Sequence, residues 1–127
     1  MTTPNVPPGG GATATGLAQN MEGALAYLLG PITGILLLVV EKDNRFVRFH
    51  AMQSTILGLA WIVVSYALQL FLHVPVLGWL VSLLTSLVLG LGGLLLWLYL
   101  MWQAFNGKEW EVPVVGAFAR KQLGGAA

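Results

Sequence analysis

Residues 49–107 read FHAMQSTILGLAWIVVSYALQLFLHVPVLGWLVSLLTSLVLGLGGLLLWLYLMWQAFNG and contain no Asp, Glu, Lys or Arg. A charge near the centre of a lipid bilayer costs about 2.5–3.5 kcal/mol on insertion scales. An uncharged apolar run of 59 residues therefore reads as protein embedded in a membrane. Composition agrees. Hydrophobic residues make up 57% of the 127 and charged residues 9%, against about 25% charged in an average soluble domain. A water-soluble fold of this length needs a polar shell that the chain cannot supply.

Working outward, the run divides into two segments, at Ala51–Leu72 and at about Val76–Phe105, separated only by His73, Val74 and Pro75. So short a connection predicts a tight antiparallel hairpin, with Pro75 near the start of the last helix. The last segment, about 45 Å long as a helix, exceeds a roughly 30 Å hydrocarbon layer and must tilt or bend, with Gly90, Gly92 and Gly93 the expected bend. A third apolar segment, about Glu22–Val40, precedes them. The fold class that follows is an all-α integral membrane protein of three transmembrane helices. Its parts are a Pro/Gly/Thr tail at residues 1–16, expected to be disordered, a membrane domain at 17–107 and a C-terminal tail at 108–127. The tail lacks the basic and apolar regions of a signal peptide.

With three spans, all six Lys and Arg residues fall on one side, in Glu41–His50 and after Gly107. The positive-inside rule makes that side the cytoplasm and puts the N-terminus outside. Gly30-Pro31, near the middle of the first segment, leaves two readings open. Pro31 removes a backbone donor and crowds the carbonyl of Tyr27, which a spanning helix accommodates as a kink. The same pair can also turn a re-entrant hairpin, which places the N-terminus in the cytoplasm.

Helices in lipid associate through close backbone packing and hydrogen bonds rather than apolar burial. Small residues at helical spacing mark the expected contacts: Gly30 and Gly34 with Ala26, then Ser54 and Gly58, then Gly78, Ser82, Ser86, Gly90 and Gly93. The last row serves either packing within one chain or a seam between copies.

The stretch EKDNRFVRFHAMQS (residues 41–54) holds the chemistry. Asp43 or Asn44 is placed to cap a helix. Arg45 and Arg48 share a face and reach lipid phosphates or Glu41. Phe46 and Phe49 are expected to anchor in the interface. His50, Ser54 and Gly58 form an i, i+4, i+8 row aimed at neighbouring helices. Arg45, Arg48, Phe49, His50, Gln53 and Ser54 are thus the candidate interfacial or partner site, the alternative being that the arginines only set topology. Glu22 suits a helix start and needs no further role.

This stretch, with its Gly-rich first segment and the ending QAFNGKEWEVPVVGAFARK, resembles a family of small bacterial membrane proteins without a defined function. In the ending, Ala104, Gly107, Lys108, Pro113 and Gly116 match a recurrent A-x-x-G-K…P-x-x-G pattern. That family looks related to the membrane-spanning component of the chloroplast inner-envelope (Tic-type) protein-import translocon. The resemblance covers roughly residues 17–121 and implies a bacterial plasma-membrane protein.

No catalytic, metal or cofactor site is expected. HExxH and GxSxG are absent, no carboxylate lies within the second or third segment, and there is no cysteine. His50 and His73 fall on opposite sides and cannot share an ion. Nucleic acid is excluded as a partner, since a net charge of +1 leaves no basic patch. The expected partners are the lipid bilayer and other membrane proteins or further copies. The expected role is a non-enzymatic one through helix–helix contacts, as homo-oligomer or accessory subunit. The alternative is a translocon-like or small-solute conduit built from several copies. The C-terminal segment either lies on the membrane surface through Trp110, Val114, Val115 and Phe118 or is a loose tail.

Overall fold

The computed structural model describes residues 11–71 and 78–123, and they form five helices: α1 (Gln19–Leu25), α2 (Pro31–Val40), α3 (Arg45–Phe71), α4 (Gly78–Phe105) and α5 (Val115–Gln122). Among the described residues, α3 and α4 alone are long and apolar enough to cross a membrane. The connection at His73–Pro75 lies outside the described residues. Gln69 Nε2 donates to Ser86 Oγ at 3.0 Å, and the Gly93 Cα faces the Trp61 ring, so α3 and α4 run antiparallel. α4 continues as helix through Gly90–Gly93 instead of breaking there.

The first apolar segment departs from the single kinked helix. It breaks at Ala26–Gly30 into α1 and α2, because Gly30 takes φ 61° and ψ −127°, a conformation open essentially to glycine alone. Pro31 then starts α2 at the position where its missing N–H costs nothing. The Thr33 hydroxyl serves the break twice, donating to the Ala26 carbonyl (3.0 Å) and accepting from the Leu29 N–H (3.1 Å). Backbone groups opened at apolar depth need such partners. Ten residues of α2 extend only about 15 Å, half a bilayer's hydrocarbon thickness.

The chain returns to where it started. Asn44, after α2, donates through Nδ2 to Gln19 Oε1 and to the Ala12 carbonyl, both at 2.9 Å, and the Ala14 N–H donates to Glu41 Oε2 at 2.7 Å. α1 and α2 therefore form a hairpin laid against the first half of α3. Glycines permit the approach. A Cβ on Gly23 would sit 2.7 Å from the Phe46 ring, one on Gly34 2.8 Å from the Ala51 carbonyl, and one on Gly58 2.4 Å from Pro31 Cδ. Asn44 also caps α3, its Oδ1 accepting from the Val47 N–H at 3.1 Å.

Residues 107–123 fold back onto the same end, so all six Lys and Arg residues gather there. The core lies there too: Phe49, Leu100, His50, Gln53, Glu22 and Val47 are the largest fully enclosed side chains. The far halves of α3 and α4 expose their leucines and valines, as at Val63 (66%) and Val88 (71%).

Candidate functional site

A polar network fills the enclosed end. His50 is fully buried between the Tyr27 hydroxyl, 2.7 Å from Nδ1, and the Lys108 carbonyl, 2.9 Å from Nε2. A carbonyl only accepts, so Nε2 carries the proton and Nδ1 accepts from Tyr27. Gln53 uses both ends of its amide. Its Nε2 donates to the Tyr27 hydroxyl (2.8 Å) and the Trp110 carbonyl (3.1 Å), and its Oε1 accepts from the Val112 N–H (2.8 Å). Trp97 of α4 donates to the Tyr27 carbonyl. Four side chains, Tyr27, His50, Gln53 and Trp97, thus tie the hairpin, both long helices and the 108–112 segment together, with each member satisfied.

The other sequence-predicted residues sit around this network. Ser54 Oγ donates to the Gly30 carbonyl at 2.9 Å, so the row His50–Ser54–Gly58 does face the hairpin. Arg48 donates to the carbonyls of Leu38 (3.1 Å) and Glu41 (2.7 Å), placing its charge at the negative end of α2. Arg45 stands apart, exposed. Phe46 and Phe49 are core residues rather than interfacial anchors: Phe46 packs on Gly23, and Phe49 lies under the Arg120 guanidinium, 4.2 Å from ring centroid to Cζ. Arg120 in turn binds Glu109 (2.8 Å) and Glu111.

Glu22 has a role that its sequence position did not suggest. It is fully buried beside Glu41, 3% exposed, at the end where the hairpin closes. Its Oε2 accepts from the Thr15 hydroxyl, while Oε1 has no donor among the described residues. Burial, and then the neighbouring Glu41 carboxyl, push the Glu22 acid above its ordinary value. A proton on Glu22 shared with Glu41 would supply the missing donor. The signal was present: Glu22 is the one charge at the head of an otherwise apolar segment, and Tyr27 the one hydroxylated aromatic within it.

Beyond the network, α3 and α4 diverge around an apolar groove of about 470 Å³. Pro31, Gly58, Trp61, Gly90, Gly93 and Trp97 line it, with the hairpin tip at one end. Of the predicted packing glycines, Gly34 and Gly58 meet the hairpin–α3 contact and Gly93 meets Trp61, whereas a Cβ on Gly90 would touch nothing. Gly78 is buried at the head of α4, Ser86 is held by Gln69, and the buried Ser82 hydroxyl has no partner in the described chain.

Taken together, these features define a small all-helical protein with two apolar helices of membrane-crossing length, a half-length hairpin and a polar seal at one end. Residues 13–119 match the magnetosome magnetite crystal formation protein family, and the chain belongs to that family. It is 42% identical over 109 residues to a UPF0132 membrane protein of Archaeoglobus fulgidus, covering 86% of this chain and 99% of that one. It is 41% identical over 112 residues to a UPF0132 membrane protein of Methanocaldococcus jannaschii, covering 87% and 94%. These relatives are named as membrane proteins. They are archaeal, and they bear on the membrane family rather than on the chloroplast translocon. No solved structure matches the chain.

Proposed function

We propose that the chain is a non-enzymatic integral membrane protein that works by assembling, with its own copies or with other membrane proteins, through the groove face of α4. The observation that carries this is the unused middle of α4. Its described buried residues are Gly78, Leu100 and Ala104, at the two ends, while Gly90 faces open space on the groove. A glycine wall in lipid suits a second helix backbone approaching closely. In this reading α3 and α4 cross the membrane, the α1–α2 hairpin enters and leaves on the cationic side, and that side, including the N-terminus, is cytoplasmic. The family's description, formation of magnetite crystals in magnetosomes, is compatible with such an assembling part. The conduit alternative draws less support, since the groove is apolar and the Tyr27–His50–Gln53 network stands across its inner end.

Gly90→Leu tests the assembly. A Cβ at position 90 meets no described atom within 4 Å, so the monomer should fold as before while the leucine side chain projects into the groove where a neighbouring helix would lie. Mass in mild detergent and disulfide trapping between copies carrying cysteine at position 91 should both show loss of association. Unchanged association in Gly90→Leu refutes the groove face as the contact.

A further inference from the structure

One side of α5 is left without a partner in the fold. Gly116 is buried against Gln53 and Glu111, and Ala119 is buried as well. On the opposite side Val114, Ala117, Phe118 and Lys121 follow one another at i, i+3, i+4 and i+7, and all four are exposed. Val114 is the most exposed large apolar residue described, at 84%. It also sits at φ 69° and ψ −51°, in a three-residue turn closed by the Val115 N–H on the Pro113 carbonyl at 2.8 Å. That turn is strained for any L-residue and worst for a β-branched one. Glycine would relax it, yet the chain holds a valine there whose side chain projects away from the fold. At 84% exposure the Val114 side chain finds little packing among the described residues to offset the strain.

The surroundings say what does. The last turns of α4 expose Trp102 (65%) and Phe105 (49%) at the same end, since Lys108 binds His50 just beyond them. Lys42, Arg45, Lys108 and Lys121 are exposed there, and among the described residues none of the four has a salt bridge. The carboxylates that could neutralise them are engaged: Glu22 and Glu41 are buried, and Glu109 and Glu111 bind Arg120, leaving Asp43 exposed. We propose that this face binds the anionic headgroup layer of the bilayer, with Val114 and Phe118 inserted between headgroups and the four cations on lipid phosphates. The inference rests on the reading that α3 and α4 cross the membrane.

The chain has no cysteine, so a nitroxide can be placed at Ala117→Cys, between the two apolar residues. The full chain is reconstituted in nanodiscs of phosphatidylcholine alone or with phosphatidylglycerol. Collision with oxygen should exceed collision with a water-soluble nickel reagent at position 117, and the excess should grow with phosphatidylglycerol. Each cation changed to Gln should cut the phosphatidylglycerol-dependent docking about fivefold. Val114→Gly, which relaxes the turn and so leaves folding intact, should weaken docking as well. A nickel-accessible probe in both lipids overturns the proposal, as does protection that vanishes when each disc holds one copy, which would make the occupant another chain. A second nitroxide at Val88, on the exposed middle of α4, separates the failures. Water exposure at 88 overturns the membrane crossing, whereas an oxygen-rich 88 beside a water-exposed 117 overturns the α5 surface alone.

Discussion

Glu22→Gln isolates the carboxyl pair that closes the hairpin. In the folded chain the Glu22 acid is raised above its ordinary value of 4.5, first by burial and then by Glu41. The closed form therefore holds its proton more tightly than the open form. Closure is most stable below that ordinary value. It weakens as pH rises from there through the raised value, and is level above it. Glutamine is neutral at every pH, fills the same volume, and its amide can donate to Glu41. An unmatched buried oxygen costs about 1–3 kcal/mol, and a hydrogen bond to a charged group contributes about 1.5–3 kcal/mol. Glu22→Gln should therefore stabilise closure at neutral pH by about 1–3 kcal/mol, roughly 5–150-fold in the opening equilibrium. The assay is hydrogen exchange at the Ala14 amide, which binds Glu41 Oε2. After correction for the intrinsic rate, protection in the parent chain should fall with rising pH, and the variant should be better protected and flatter. Protection in the parent that ignores pH, or a variant that exchanges faster at neutral pH, refutes the shared proton.

Three further outcomes follow from the geometry. Gly30→Ala forces a side chain into φ 61° and ψ −127° and should cost about 1–3 kcal/mol, read as a lower melting temperature in detergent. Gln53→Leu leaves the Val112 N–H and the Tyr27 hydroxyl short of a partner; about 1–3 kcal/mol should be lost locally, with faster exchange at the Val112 amide. Gly58→Leu drives atoms into Pro31 and should destabilise by at least about 1–3 kcal/mol in the same melt, whereas Gly90→Leu should leave the monomer's melting point nearly unchanged.

Much of the candidate site could be read residue by residue. Asn44 caps α3, and the spacing of His50, Ser54 and Gly58 aimed them at a neighbour. Their partners were not readable. Tyr27 and Lys108 lie 23 and 58 residues from His50, so no local pattern joins them. Phe46 and Phe49, next to arginines, carry the signature of interfacial anchors, yet the hairpin and α5 cover them. The C-terminal segment divides between both expectations: Val115 packs on the core and Trp110 beside Tyr99, while Val114 and Phe118 turn outward.

Solvent preference belongs to each residue and adds along the chain. A charge-free run and six cations in two short stretches were therefore enough to assign helices, an apolar setting and a polar end. The route through Gly30-Pro31 was different. A kink and a reversal are both compatible with the same local dihedral chemistry, and the choice between them falls to groups distant in sequence. Ser54 on the Gly30 carbonyl, Arg48 on the end of α2, Asn44 on Gln19, and Glu22 against Glu41 all form only when the chain doubles back. Those contacts arise from the packed arrangement, and only the tertiary structure could decide them.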